Sequence, residues 1–93
     1  MTEFDFLRAP KDINIEIAEA VKARRKEQKL SQERLSVKSG VSLGSIKRFE
    51  RTGEISLTSL IRIAFALGCE NDFSYLFNKR GYASIQEVID EQQ

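Results

Sequence analysis

The chain has no histidine, no tryptophan, one cysteine and one proline in 93 residues. Each scarcity removes a class of function. With one thiol and no imidazole, neither a zinc site nor a Cys–His or Ser–His nucleophilic pair can be assembled. Cys69 has no partner for an internal disulfide, which points to a cytoplasmic setting. No apolar run approaches the ~18 residues of a membrane span. The opening residues, with Glu3 and Asp5, are acidic where a signal peptide is basic. Glu87, Asp90 and Glu91 lie on a solvated tail and suggest no paired-carboxylate chemistry. No enzyme, cofactor or metal is expected, and the 41% hydrophobic content suits one soluble domain with a modest core.

What the chain does have is basic charge, unevenly placed. The net charge is +1, yet residues 22–51 hold ten bases against three acids, a local +7 that leaves −6 for the rest. The bases are Lys22, Arg24, Arg25, Lys26, Lys29, Arg34, Lys38, Lys47, Arg48 and Arg51. One basic third in a nearly neutral domain is the footprint expected for a polyanion partner.

Periodicity predicts an all-α chain. An arm over residues 1–11, containing Pro10, precedes a first helix capped by Asp12 or Asn14 and running to about residue 28. Its inward stripe is read as Ile13, Ile17, Ala20, Val21 and Arg24. Ser31 caps a second helix over 32–39 with Leu35 inward; Gly40 suits a left-handed C-terminal position, and Val41 follows as a buried plug. Ser42 caps a third helix, 43–51, with Ile46 and Phe49 inward, and residues 52–54 break it. Ser56 caps a fourth, 57–67, carrying Leu60, Ile61, Ala64 and Leu67 and closing at Gly68. A short fifth helix is expected over 71–77. An amphipathic tail, 79–93, places Ile85, Val88 and Ile89 on one face. The domain itself is drawn as 12–78.

The centre of the pattern is Leu30-Ser31-Gln32, Leu35, Gly40-Val41-Ser42, Ile46 and Phe49-Glu50. Two helices that cross steeply need a residue without a Cβ in the turn between them, here Gly40. Leu35, Val41, Ile46 and Phe49 must bury together to lock the angle. The outward face of the third helix then carries Leu43, Gly44, Ser45, Lys47, Arg48 and Arg51. A narrow rod with small or basic side chains is what a major groove admits.

These residues resemble the XRE-type, phage-repressor-like helix-turn-helix domain, over about residues 13–77. The resemblance implies a compact five-helix fold with an amphipathic C-terminal helix, and a sequence-specific transcriptional regulator, a repressor, that binds double-stranded DNA. It implies that Gln32 bonds a phosphate and that Leu43, Gly44, Ser45, Lys47 and Arg48 meet base edges and the flanking backbone. Arg51 and Lys38 would add charge beside them. Arg25 and Glu50 would form an ion pair tying the first helix to the recognition helix. Four positions depart from the family, in three places. Lys29 stands where a glycine usually ends the first helix, Leu43 and Gly44 replace polar readers, and Arg24 replaces a buried aliphatic residue, so that only its stem should pack.

A lone domain of this size makes few phosphate contacts, so a homodimer on a palindromic operator is expected. Phe73, Leu76, Phe77, Tyr82, Ile85, Val88 and Ile89 are its expected surface. A weaker resemblance, through residues 56–64 and the short tail, is to HipB-type antitoxins that autorepress and partner a HipA-type toxin kinase. A protein-interaction adaptor is the remaining alternative.

Overall fold

A computed structural model describes residues 8–78 of the chain. Its elements are α1 (Pro10–Glu27), α2 (Gln32–Ser39), α3 (Leu43–Thr52), α4 (Leu57–Leu67) and a closing 3-10 turn (Glu70–Tyr75). The fold is all-helical, with no strand among the described residues. The expected tail positions Tyr82, Ile85, Val88 and Ile89, and residues 1–7 of the arm, lie outside the described residues.

Three helices share one local grammar. Ser31, Ser42 and Ser56 accept hydrogen bonds from the backbone N–H of Arg34, Ser45 and Ser59, at 3.0, 3.1 and 3.1 Å. Each hydroxyl satisfies a donor that the first turn leaves free, worth about 1 kcal/mol. Each helix then closes on a left-handed glycine, Gly40, Gly53 or Gly68.

α1 starts differently from expectation. Neither Asp12 nor Asn14 is its cap; Ala9 is, followed by Pro10 at the first helical position. Proline has no N–H to lose there and its φ is already helical. The Asp12 carboxylate instead reaches back and accepts from the Ala9 N–H at 2.9 Å. Residues 10 and 11 of the expected arm are therefore helical.

The inward face of α1 also differs. Ile13 and Ile17 are 46% and 41% exposed, and Ala20 and Arg24 are exposed too. The buried residues are Ala18 and Arg25, with Val21 half-buried between them. α1 packs chiefly on α3, and a face built on the small Ala18 lets the two axes approach as the isoleucine face would not. The Arg24 side chain is 50% exposed, as expected of a residue that packs in part, with its guanidinium 3.9 Å from Glu27.

Leu35, Val41, Ile46, Ile63, Ala66 and Leu67 form the central cluster, with Val21, Leu30, Ile55 and Cys69 packed around it. Leu35, Ile46 and Ile63 have no exposed surface and Phe49 has 1%. Burying each such side chain contributes about 1.5–3 kcal/mol. Ile63 and Ala66 were not among the expected inward residues of α4, whereas Leu60 and Ile61 are only half-buried. The turn between α2 and α3 is satisfied internally. Ser36 Oγ donates to the Val41 carbonyl at 2.6 Å, and the Val41 N–H donates to Ser39 Oγ at 3.1 Å.

The expected fifth helix is present, as a short 3-10 helix over Glu70–Tyr75 rather than an α-helix over 71–77. Asp72 and Leu76 donate to the carbonyls three residues back, Cys69 and Phe73. Asn71, Asp72 and Ser74 are residue types that bond their own backbone and weaken a short α-helix.

At the end of α1, Lys29 has φ 59°, a conformation that costs a residue with a Cβ about 1–2 kcal/mol. Glycine escapes that cost but loses about 0.5–1 kcal/mol more chain entropy on folding. Lys29→Gly is therefore expected to stabilise the domain by about 0.5–1 kcal/mol, read as a higher urea midpoint at unchanged slope. A lower midpoint would show that the Lys29 side chain makes a compensating contact.

Candidate functional site

The face that α3 turns away from the core is set by the face it buries. Ile46 and Phe49 are its only buried residues, so Gly44, Ser45, Lys47, Arg48 and Arg51 are driven outward and all are exposed. Leu43 is half-buried, less free than the pattern suggested, because the first turn of α3 leans on its neighbours. Ser45 is partly engaged at the cap, where Ser42 Oγ donates to its hydroxyl at 2.8 Å. A Cβ at Gly44 would meet nothing within 4 Å, so glycine there leaves open space against any partner rather than serving the fold.

What holds α3 in position is a buried charge pair. Arg25 Nε and Nη2 donate to the two oxygens of Glu50 at 2.8 and 2.9 Å, and the two side chains are 9% and 5% exposed. Arg25 Nη1 donates to the Leu30 carbonyl at 2.7 Å. One guanidinium thus joins the middle of the α1 C-terminal half, the α1–α2 turn and the end of α3. The fork of Arg matches the carboxylate in a two-bond geometry that a lysine could not reproduce.

Gln32, expected at a phosphate, is drawn into the same network, its Nε2 donating to Glu50 Oε1 at 3.1 Å. Its side chain is half-buried at the start of α2. Lys38 is exposed in the last turn of α2. Of the expected association residues that are described, Phe73 is half-buried. Leu76 and Phe77 are 52% and 101% exposed.

A second brace between α1 and α3 was not legible beforehand. The Asn14 amide donates to the Gly53 carbonyl at 3.2 Å. Gly53 is buried, with φ 81°, and a Cβ built on it would sit 2.8 Å from the Asn14 carbonyl carbon. Asn14, read as a helix cap, is an inter-helix tie, and Gly53, read as a helix breaker, is also a point of backbone contact.

Beyond Gly53 the chain carries Glu54 back toward the exposed face. Arg48 Nη2 lies 3.5 Å from Glu54 Oε1, both side chains 62% exposed. Asn14, Ser45, Arg48, Glu54 and Ser56 are among the residues lining a cleft beside α3. Among the described residues no cluster of His, Cys, Asp and Glu is placed to hold a metal. No helix there is long and apolar enough to cross a membrane.

No curated protein and no solved structure matches the chain. A family profile described as helix-turn-helix matches residues 21–71, 51 of the 93 residues. That span runs from the C-terminal part of α1 through α2, α3 and α4, and so contains both the charge pair and the outward face of α3. The chain belongs to the XRE-type helix-turn-helix family of DNA-binding transcriptional regulators.

Proposed function

We propose that the protein is a sequence-specific repressor that lays α3 in the major groove and binds a palindromic operator as a homodimer. The observation that carries this reading is the composition of the outward face of α3. Gly44, Ser45, Lys47, Arg48 and Arg51 are all exposed, and every one is either small or cationic. Small residues allow the backbone near the base edges, and the cations meet phosphate and guanine. Gln32 and Lys38 supply backbone contacts from α2 in this reading, with Leu43 against a thymine methyl. Dimer formation is supported by the apolar Leu76 and Phe77, which leave the 3-10 turn with their side chains in solvent. Both side chains lie open among the described residues, and contiguous apolar surface is a common mark of an interaction site.

The test is selection from a pool of random duplexes at roughly physiological salt, with Arg48→Ala alongside the wild type. Enrichment of a palindrome is expected, with half-sites about 10 bp or a multiple apart. Arg48→Ala should relax one base position in each half-site, by about 1–3 kcal/mol. Should no sequence be enriched, and binding only fade with salt, α3 is not reading bases and the proposal fails.

A further inference from the structure

Glu54 is the anomaly of the exposed face. It is an acid beside the most basic third of the chain, close to where a phosphate backbone would run if α3 enters a groove. An exposed carboxylate there lowers affinity for any duplex through repulsion. Nothing in the core needs it, since its side chain is 62% exposed.

Its position is nonetheless built, not incidental. The Glu54 N–H donates to Thr52 Oγ1 at 3.2 Å, and that hydroxyl donates to the carbonyl of Arg48 itself at 2.7 Å. Gly53, immediately before it, is clasped by Asn14 of α1. The backbone bearing Glu54 is therefore tied on one side to the residue it faces and on the other to α1. The carboxylate is delivered 3.5 Å from the Arg48 guanidinium, out of the many orientations a terminal Arg could take.

We propose that Glu54 is a specificity-determining positioning residue: it orients the Arg48 guanidinium toward a base edge and withholds it from phosphate. The inference rests on the major-groove reading above. Two physical effects follow from one contact. A free Arg on a helix surface gives up rotamer freedom when fixed, and a partner that narrows its orientations beforehand reduces what base recognition must offset. Compensating one charge of the side chain also weakens its pull toward any nearby phosphate, which carries no sequence information.

The experiment compares wild type, Glu54→Gln, Arg48→Ala and the double variant. Each is measured on the selected operator, on that operator with the Arg48-read pair exchanged, and on unrelated duplex across a salt series. Glu54→Gln is expected to bind unrelated duplex more tightly and to steepen the log K against log salt slope by about 0.9. At the same time it should lose threefold to tenfold of the discrimination at the Arg48-read pair, a coupling of the size found between contacting residues. In the Arg48→Ala background the substitution should leave discrimination unchanged. This opposed movement, tighter binding with poorer selection, is not what a loss of fold stability would produce. Equal discrimination by Glu54→Gln and wild type on a selected operator overturns the inference while leaving the major-groove reading intact. A parallel weakening on every duplex also overturns it. Failure of the wild type to select any site instead overturns the reading on which it rests.

Discussion

Glu50→Ala should cost about 3–5 kcal/mol of folding stability, the largest effect expected of any single polar substitution in the chain. Its carboxylate is 5% exposed and takes both arms of the Arg25 fork. Removing it leaves a buried guanidinium with only the Leu30 carbonyl as partner, and an arginine cannot escape by losing its proton. Against a total stability of about 5–15 kcal/mol for a natural domain, such a loss places the variant near its unfolding limit. Urea denaturation followed by circular dichroism measures it directly. Arg25→Met with Glu50→Leu should recover much of the deficit, because the cost lies in the unpaired charge more than in the absence of the bond. A double variant as unstable as Glu50→Ala would show that the pair is worth its full geometry and that apolar packing cannot replace it. DNA binding should fall in Glu50→Ala even where it stays folded, since α1 and α3 are then tied only at the Asn14–Gly53 contact.

Gly53→Ala should be the most damaging of the three C-cap glycine substitutions, at about 3 kcal/mol. Gly40, Gly53 and Gly68 have nearly equal φ values, 75°, 81° and 73°, so each alanine carries the same left-handed cost of about 1–2 kcal/mol. Surroundings separate them. A Cβ at Gly40 or Gly68 meets nothing within 4 Å, whereas at Gly53 it meets the Asn14 backbone at 2.8 Å. Backbone cannot rotate away as a side-chain tip can, so α1 must shift along its contact with α3, adding the ~1–3 kcal/mol typical of overpacking. Measuring the three variants under one set of conditions isolates that extra term. Equal losses at all three positions would mean that α1 gives way freely at Asn14, and the proposed brace between α1 and α3 would then carry little.

How much of this could be read in advance varies from element to element, for reasons that are local. α2, α3 and α4 lay open to reading because their boundaries are written in adjacent residues. A serine hydroxyl reaches an N–H three residues on, and a glycine takes a left-handed φ, without any help from distant chain. The outward face of α3 was equally legible, because Ile46 and Phe49 are the only large apolar residues after Leu43 in that helix and their burial dictates everything opposite. The fifth helix follows from the helical spacing of Phe73, Leu76 and Phe77, but its 3-10 form does not. Asn71, Asp72 and Ser74 supplied the competing signal.

α1 shows where such reading stops. Ile13, Ile15, Ile17, Ala18 and Val21 spread apolar surface around more than one side of the helix, so periodicity offers several inward faces of similar merit. The choice fell to α3, whose close approach favours Ala18 over an isoleucine and brings Arg25 to Glu50. Asn14 and Gly53 meet across 39 residues, a separation that no local rule spans, and Glu54 reaches Arg48 only because that contact and the Thr52 bridge turn the chain back. Caps, turns and the face of a strongly patterned helix follow from neighbours along the chain, where the interacting groups are a few bonds apart. The phase of a weakly patterned helix, and the acid set against the exposed Arg48, follow from which surfaces can approach one another once the helices have packed.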